Sequence, residues 1–180
     1  QTMQCKTAFV TGGGSGIGLA LAETLAKRGA RIAAFDLRFS EAARARLRAV
    51  CPDALFFEVD VRDAEGVDAA VKKAVAQIGA PEVAINSAGV QVARPFLEIS
   101  SERYDFVVDI NLKGSRNFAA AVLRHMRSGG HLALVASIAG VVSNYGYAAY
   151  SSSKFGVVGL ASALRIECRT RGICVSVICP

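Results

Sequence analysis

The stretch "KTAFVTGGGSGIGLALAETLAKRG", residues 6–29, decides the fold, because its periodicity changes from one kind to another across a run of glycines. "KTAFVT" (6–11) is short and almost continuously apolar, as a strand buried on both faces would be. "IGLALAETLAKRG" then spaces its apolar residues as an amphipathic helix does. Between them "TGGGSGIG" sets Gly12, Gly16 and Gly18 at the turn. Glycines there let the backbone turn sharply and approach a diphosphate, whose charge meets the N–H groups of the helix start. The spacing is Gly-x-x-x-Gly-x-Gly rather than Gly-x-Gly-x-x-Gly. Its place after a strand and before a helix favours a nucleotide site over a plain turn.

The same alternation continues along the chain. Strands are expected at "RIAAFD" (31–36), "LFFEVD" (55–60), "EVAIN" (82–86), "HLALVAS" (131–137) and "CVSVIC" (174–179), with helical segments between them. Buried strands alternating with helices predict a doubly wound α/β domain, a parallel sheet in a three-layer α/β/α stack, with ligand beyond the carboxyl ends of the strands. The chain has 180 residues, 52% hydrophobic and 20% charged, and shows no linker or repeat, so 1–180 reads as a single domain with 1–5 as an N-terminal tail. A chain of this size buries roughly 70% of its unfolded surface.

The net charge of +6 raises the question of nucleic acid. The basic residues are scattered, however, and in "EAARARLRAV" Arg44, Arg46 and Arg48 cannot share one helix face, so a solvated helix is expected and no nucleic-acid partner. The five cysteines are odd in number and lack metal-type spacing; Cys174 and Cys179 sit in an apolar run and read as core thiols. With no apolar run near the roughly 20 residues that span a bilayer and no signal peptide, a cytoplasmic protein is expected.

Asp36 ends the second strand candidate, eighteen residues after Gly18. A carboxylate there accepts from both hydroxyls of an adenosine ribose and repels a 2′-phosphate. Leu37 supplies no cation for such a phosphate, although Arg38 stands two residues on, so NAD is expected over NADP.

These residues carry a resemblance to the short-chain dehydrogenase/reductase family. "TGGGSGIG" is similar to its Thr-Gly-x-x-x-Gly-x-Gly turn, "NSAG" (86–89) to its Asn-Asn-Ala-Gly segment, and "YSSSK" (150–154) to its Tyr-x-x-x-Lys; Asn111 in "DINLKG" and Ser137 in "VASIAG" complete the set in the family's order. The resemblance implies a Rossmann-like fold and a catalytic set of Asn111, Ser137, Tyr150 and Lys154. It also implies a nicotinamide dinucleotide held by Gly12, Gly14, Ser15, Gly16, Ile17 and Gly18, by Asp36, by Asp60 and Val61 at the adenine, by Asn86, Ala88 and Gly89, and by Tyr150, Lys154 and Pro180. No metal is implied. Ser87 departs from the family's second Asn and keeps only part of that amide's hydrogen-bonding capacity. In this family the substrate lid and the last strand follow the proline that Pro180 resembles, so both are expected to lie outside this chain.

The spacing of Tyr150 and Lys154 has its own physical reason. Residues four apart on a helix share a face, and a cation beside a phenol favours the phenolate, giving a general acid/base for a carbonyl and its alcohol. Ser137 is placed to donate to the substrate oxygen. By resemblance Asn111 holds a water that links Lys154 to solvent. Bulk at residues 151–153 would crowd the sheet or the cofactor.

Val141, Val142, Tyr145 and Tyr147 are expected near the reacting position, with "VQVARPFLEI" as a second wall and an apolar small molecule as substrate. "YGYAAYSSSKFGVVGLASALRIE" is similar to reductases of 3-keto lipids, such as 3-ketodihydrosphingosine reductase, and to 3-oxoacyl carrier-protein reductases, commonly NADPH enzymes. That is the alternative to an NAD-linked dehydrogenase; a non-catalytic dinucleotide sensor would be expected to lose Ser137, Tyr150 or Lys154. Family members pair long helices into dimers and tetramers, and Phe106, Phe118, Val122, Phe155 and Leu164 are the apolar candidates in segments 101–128 and 147–171.

Overall fold

A computed structural model of the chain describes residues 6–180; the tail expected at 1–5, with Cys5, lies outside the described residues. Strand β1 (Thr7–Thr11) is buried along its whole length, as its unbroken apolar run requires. It leads into helix α1 (Gly16–Lys27), and the alternation continues through β2 (Arg31–Asp36), α2 (Glu41–Val50), β3 (Leu55–Glu58), α3 (Ala64–Ile78) and β4 (Val83–Asn86). After α4 (Ser101–Val108) and α5 (Gly114–Leu123) come β5 (His131–Val135), α6 (Ala148–Glu167) and β6 (Cys174–Ile178).

The strands form one sheet in the order β3-β2-β1-β4-β5-β6, and every pairing is parallel. The winding reverses between β1 and β4, so their carboxyl ends open the crevice where α/β proteins of this kind bind ligands. Side chains alternate across the sheet: Ala8 and Val10 pack with Leu19, Ala22 and Leu47 of α1 and α2, whereas Phe9 and Phe35 pack with Val67, Val71, Phe118 and Val157 of α3, α5 and α6. This is the expected three-layer α/β/α arrangement.

Three local details differ from the expectations. The helical segment from residue 101 is broken by a π-helical turn, Asp109–Lys113, and α5 ends at Leu123. Phe118 and Val122 are fully buried against Phe35 and its neighbours, because the apolar stripe of α5 faces this chain's own sheet; Phe155, 46% exposed, remains open. Among the described cysteines it is Cys168 that is buried, while Cys174 is exposed and Cys179 half-buried. Cys174 opens an edge strand whose inward position is taken by Val175.

The arginines of α2 are dispersed as its periodicity implies. Arg44, paired with Glu58, and Arg48 both lie over the Phe56 ring, while Arg46 points away from them to Glu23. Among the described residues no helix is long and apolar enough to cross a membrane.

Candidate active site

The β1–α1 turn forms the floor of a cleft of about 580 Å³ at the carboxyl ends of the strands. Gly12 has φ +65°, and a Cβ there would stand 2.9 Å from Ala88 N and from the Ser87 carbonyl carbon. A Cβ on Gly18 would overlap the Gly12 carbonyl. Only glycine lets this turn lie flat against the Ser87–Ala88 backbone and leave the start of α1 open to the cleft.

That helix start is electrostatically bare. Ser15, its N-cap, makes no side-chain cap bond, and the first turn holds no acid. The N-caps of α2, α3 and α4, namely Ser40, Asp63 and Ser100, all accept from the amide three residues on. The N–H groups and dipole of α1 are therefore available to an anion beside Ser15, Gly16 and Ile17, which all line the cleft. Asp36 lines it too, its Oδ2 accepting from Gly14 N at 2.9 Å. Leu37 faces the cleft beside it, and Arg38 is not among the lining residues. Asp60 and Val61 form the edge beyond β3.

Asn86 works from behind this surface. Buried at the end of β4, it accepts from Thr11 Oγ1 at 2.8 Å and donates to Ser115 Oγ at 2.9 Å, tying β1 to α5. Thr11 Oγ1 in turn accepts from Ser87 N and Ala88 N at 3.1 and 3.2 Å. The centre of the sheet is thus held by Thr11 and Asn86, around the Ser87 departure.

At the other end of the cleft stand Gly89, Ser137, Tyr150, Lys154 and Pro180. Tyr150 and Lys154 share one face of α6, with Lys154 Nζ 5.7 Å from the centroid of the Tyr150 ring. Lys154 is only 5% exposed and donates to the Val135 carbonyl at 3.0 Å. Burial pushes its pKa down to about 8, with the Cys179 thiol acting weakly the other way. Ser137 caps the short turn Ile138–Gly140, accepting from Ala139 N at 3.2 Å, so its hydroxyl proton remains to be donated.

Asn111 sits in the π-helical turn, fully buried. Its Oδ1 accepts from Val90 N at 2.8 Å, and its Nδ2 donates to Val90 O at 2.9 Å and Ser153 Oγ at 3.0 Å. The extra residue of the π turn directs this amide at the loop after Gly89, a common use of such turns at functional sites. Its hydrogen bonds go to that loop and to α6, not to Lys154.

Each small serine of "YSSSK" serves a separate neighbour. Ser151 accepts from Ser143 Oγ at 2.8 Å, Ser152 meets Tyr104 OH of α4 at 2.9 Å, and Ser153 bridges Asn111 and the Tyr150 carbonyl. Larger side chains would push α6 away from all three.

Lining residues that the sequence reasoning did not assign to the site include Val59, Arg62, Phe106 and Ile110, whereas Gln91 belongs to the expected second wall. Gln91 donates to Tyr147 OH at 2.7 Å, and Tyr147 packs edge-on against Tyr150 with centroids 5.8 Å apart. Arg94 N donates to Gly146 O at 2.8 Å, so the two expected substrate walls are clasped together. Val141, Val142 and Tyr145 are exposed beside them. Only Phe106 carried a signal, a large apolar residue on a helix, and it was equally compatible with a subunit contact.

A glycine cradle that a Cβ would fill, an uncapped helix start and a carboxylate one strand over together fit a nicotinamide dinucleotide. Among the described residues no cluster of His, Cys, Asp or Glu is placed to hold a metal ion.

Comparison with known proteins agrees with this geometry. The family model described as short chain dehydrogenase matches residues 6–180. The chain is 40% identical over 179 residues to D-threitol dehydrogenase of Mycolicibacterium smegmatis, covering 97% of this chain and 69% of that protein. It is 39% identical over 180 residues to a 3-dehydrosphinganine reductase of Arabidopsis thaliana, covering 96% of this chain and 53% of that protein. Among solved structures it superposes on carveol dehydrogenase from Mycobacterium avium in complex with NAD with TM-score 0.91, 28% identity and coverage of 97% of this chain and 70% of that one.

Proposed function

Since this chain belongs to the short-chain dehydrogenase/reductase family, an oxidoreductase family acting on CH–OH and carbonyl groups with NAD(P), we propose that it is an NAD-linked dehydrogenase with Tyr150 as its general acid/base. The observation that carries this reading is the buried Lys154 beside the Tyr150 ring, in the same cleft as Ser137 and the glycine turn. Gly12, Gly14, Ser15, Gly16, Ile17 and Gly18 would hold the diphosphate, Asp36 the ribose, and Asp60 and Val61 the adenine. Asn86, Ala88 and Gly89 would shape the middle of the site, with Tyr150, Lys154 and Pro180 at the nicotinamide. When bound, the cofactor supplies or accepts a hydride at the substrate carbon.

The protein's own residues manage the proton and the geometry. In reduction Tyr150 gives its hydroxyl proton to the carbonyl oxygen as that oxygen gains charge; in oxidation it removes the proton of the alcohol. Ser137 donates to the same oxygen and fixes it beside Tyr150. Lys154, anchored on Val135, sets the charge next to the phenol. Asn111 clamps Val90 and so holds the loop that faces them.

A second reading, an NADPH-linked reductase of a 3-keto lipid, draws on the exposed Val141, Val142, Phe96 and Leu97 around the site and on the 3-dehydrosphinganine reductase similarity. A fluorescence titration with NADH and NADPH separates the two. Tighter NADH binding supports the first reading, and tighter NADPH binding replaces it with the second. Residues 6–180 would act as one catalytic domain of a cytoplasmic protein. The protein would assemble as a homodimer or homotetramer through α6, where Phe155 is open; light scattering that shows only monomer removes that part.

A further inference from the structure

The mouth of the cleft holds a polar pair that the proton path does not use. Val90 is clamped by Asn111 through both its N–H and its C=O, at 2.8 and 2.9 Å, and Arg94 N donates to Gly146 O at 2.8 Å. Gln91 lies between these two fastenings, so the loop that carries it is held on both sides. Tyr147 follows Gly146 directly and stands at the N-cap of α6. The two walls of the cleft therefore present Gln91 and Tyr147 to each other from anchored backbones.

Gln91 Nε2 donates to the Tyr147 hydroxyl at 2.7 Å. That bond leaves the hydroxyl proton of Tyr147 and Oε1 of Gln91 without partners among the described residues, one a donor and the other an acceptor. Turning the amide over exchanges which of the two donates and still leaves one of each. Gln91 lines the same cleft as Ser137 and Tyr150, and the Tyr147 and Tyr150 rings meet edge-on with centroids 5.8 Å apart. A group held by the pair therefore belongs to the molecule whose oxygen faces Tyr150, a few bonds from its reacting carbon.

We propose that Gln91 and Tyr147 determine substrate specificity: they select a compound with a second hydroxyl one or two carbons from the reacting carbon, a diol or the matching hydroxyketone. A hydroxyl both donates and accepts, so it satisfies the two groups at once. A carboxylate or carbonyl only accepts and an ammonium only donates, so each leaves one of the pair unmet; a methyl meets neither and displaces the water they would otherwise bind. The inference rests on the dehydrogenase reading above and adds the class of substrate to it. Gln91 is exposed and Tyr147 half-buried, so either can be altered without opening the core.

The test follows NADH and NADPH oxidation by the full-length wild type, Gln91→Leu and Tyr147→Phe, after matching thermal unfolding midpoints. The probes are hydroxyacetone against butanone and 4-hydroxy-2-butanone against 2-pentanone, pairs in which a hydroxyl takes the place of a methyl. The wild type should reduce at least one hydroxyketone with kcat/KM about tenfold above that of its methyl partner, as hydrogen bonds to one hydroxyl imply. In Tyr147→Phe, which keeps the ring against Tyr150, and in Gln91→Leu that ratio should fall to about twofold or less, the loss falling on the hydroxyketone. A wild type that binds a reduced dinucleotide yet shows no such preference, or reduces none of these ketones, overturns the inference and leaves the cofactor reading intact. So do variants that keep the preference, or that lower both members of a pair alike, the signature of a merely structural role. A wild type that binds neither dinucleotide overturns the dehydrogenase reading, and this inference with it.

Discussion

Lys154 Nζ lies 5.7 Å from the centroid of the Tyr150 ring and donates at 3.0 Å to the carbonyl of Val135, nineteen residues earlier. The helix brings the two side chains to one face, and the sheet supplies the acceptor that holds the lysine there. The same arrangement buries the ammonium almost completely, which lowers its pKa to about 8.

That burial makes stability depend on pH. The unfolded chain keeps the Lys154 proton up to about 10.5 and the folded protein releases it near 8, so between those values the unfolded state binds more protons and stability rises with pH. Below about 8 the buried charge costs the fold on the order of 3 kcal/mol. Lys154→Met should accordingly unfold at a higher temperature than the wild type at pH 7, with the gap closing between pH 8 and 10.5. Circular-dichroism melts across that range check it; a variant less stable at pH 7 contradicts it.

Tyr150→Phe keeps the ring that packs on Tyr147 and faces Lys154, and removes only the hydroxyl. Turnover should fall by roughly 10²–10⁴, the usual contribution of a positioned acid or base, while NADH affinity stays within about threefold. Stopped-flow turnover together with fluorescence binding decides this. A variant within a few-fold of wild-type turnover removes Tyr150 from the proton path.

Asn111→Ala leaves the N–H and C=O of Val90 without their partner and takes the Ser153 contact with them. The expected loss is roughly 1–3 kcal/mol of stability, with a lower kcat because the Gly89–Val90 loop loosens beside Lys154. Urea unfolding and steady-state kinetics measure both. A midpoint and kcat equal to wild type would mean that the clamp is dispensable.

Two glycines give opposite predictions. Gly18→Ala drives a methyl into the Gly12 carbonyl, and should cost about 1–3 kcal/mol and weaken dinucleotide binding at least tenfold by displacing the turn. Gly159, inside α6, has nothing within 4 Å of where a Cβ would stand, so Gly159→Ala should stabilise by about 0.5–1 kcal/mol and leave binding unchanged. Thermal melts and titrations of the pair test whether the cradle needs glycine for contact or merely tolerates it.

The strand candidates fall within two residues of the observed strands because each is an apolar run set off by a turn, a signal carried inside the run itself. Phe118 and Val122 show where that kind of reading stops. A helix stripe declares that it is apolar, not whether it meets its own sheet or another subunit, and here Phe35 lies opposite. Cys174 was misplaced for the same reason, since its burial depends on what lies across from it. The π turn at Asp109–Lys113 has no local signature in "DINLK", being set by the hydrogen bonds of Asn111 to a loop twenty-one residues away.

The sequence by itself determined the order of strands and helices, the glycine turn, and the chemical groups offered at Asp36, Asn111, Ser137, Tyr150 and Lys154. Periodicity, turn chemistry and side-chain type are properties of neighbouring residues. Only the tertiary structure decided that Lys154 is anchored on Val135, that Asn111 is spent on Val90 and Ser153, and that Arg62 grips Asp60 beneath Phe106. Those partners are chosen by the packing of helices on a parallel sheet, which brings together atoms that no short stretch of chain relates.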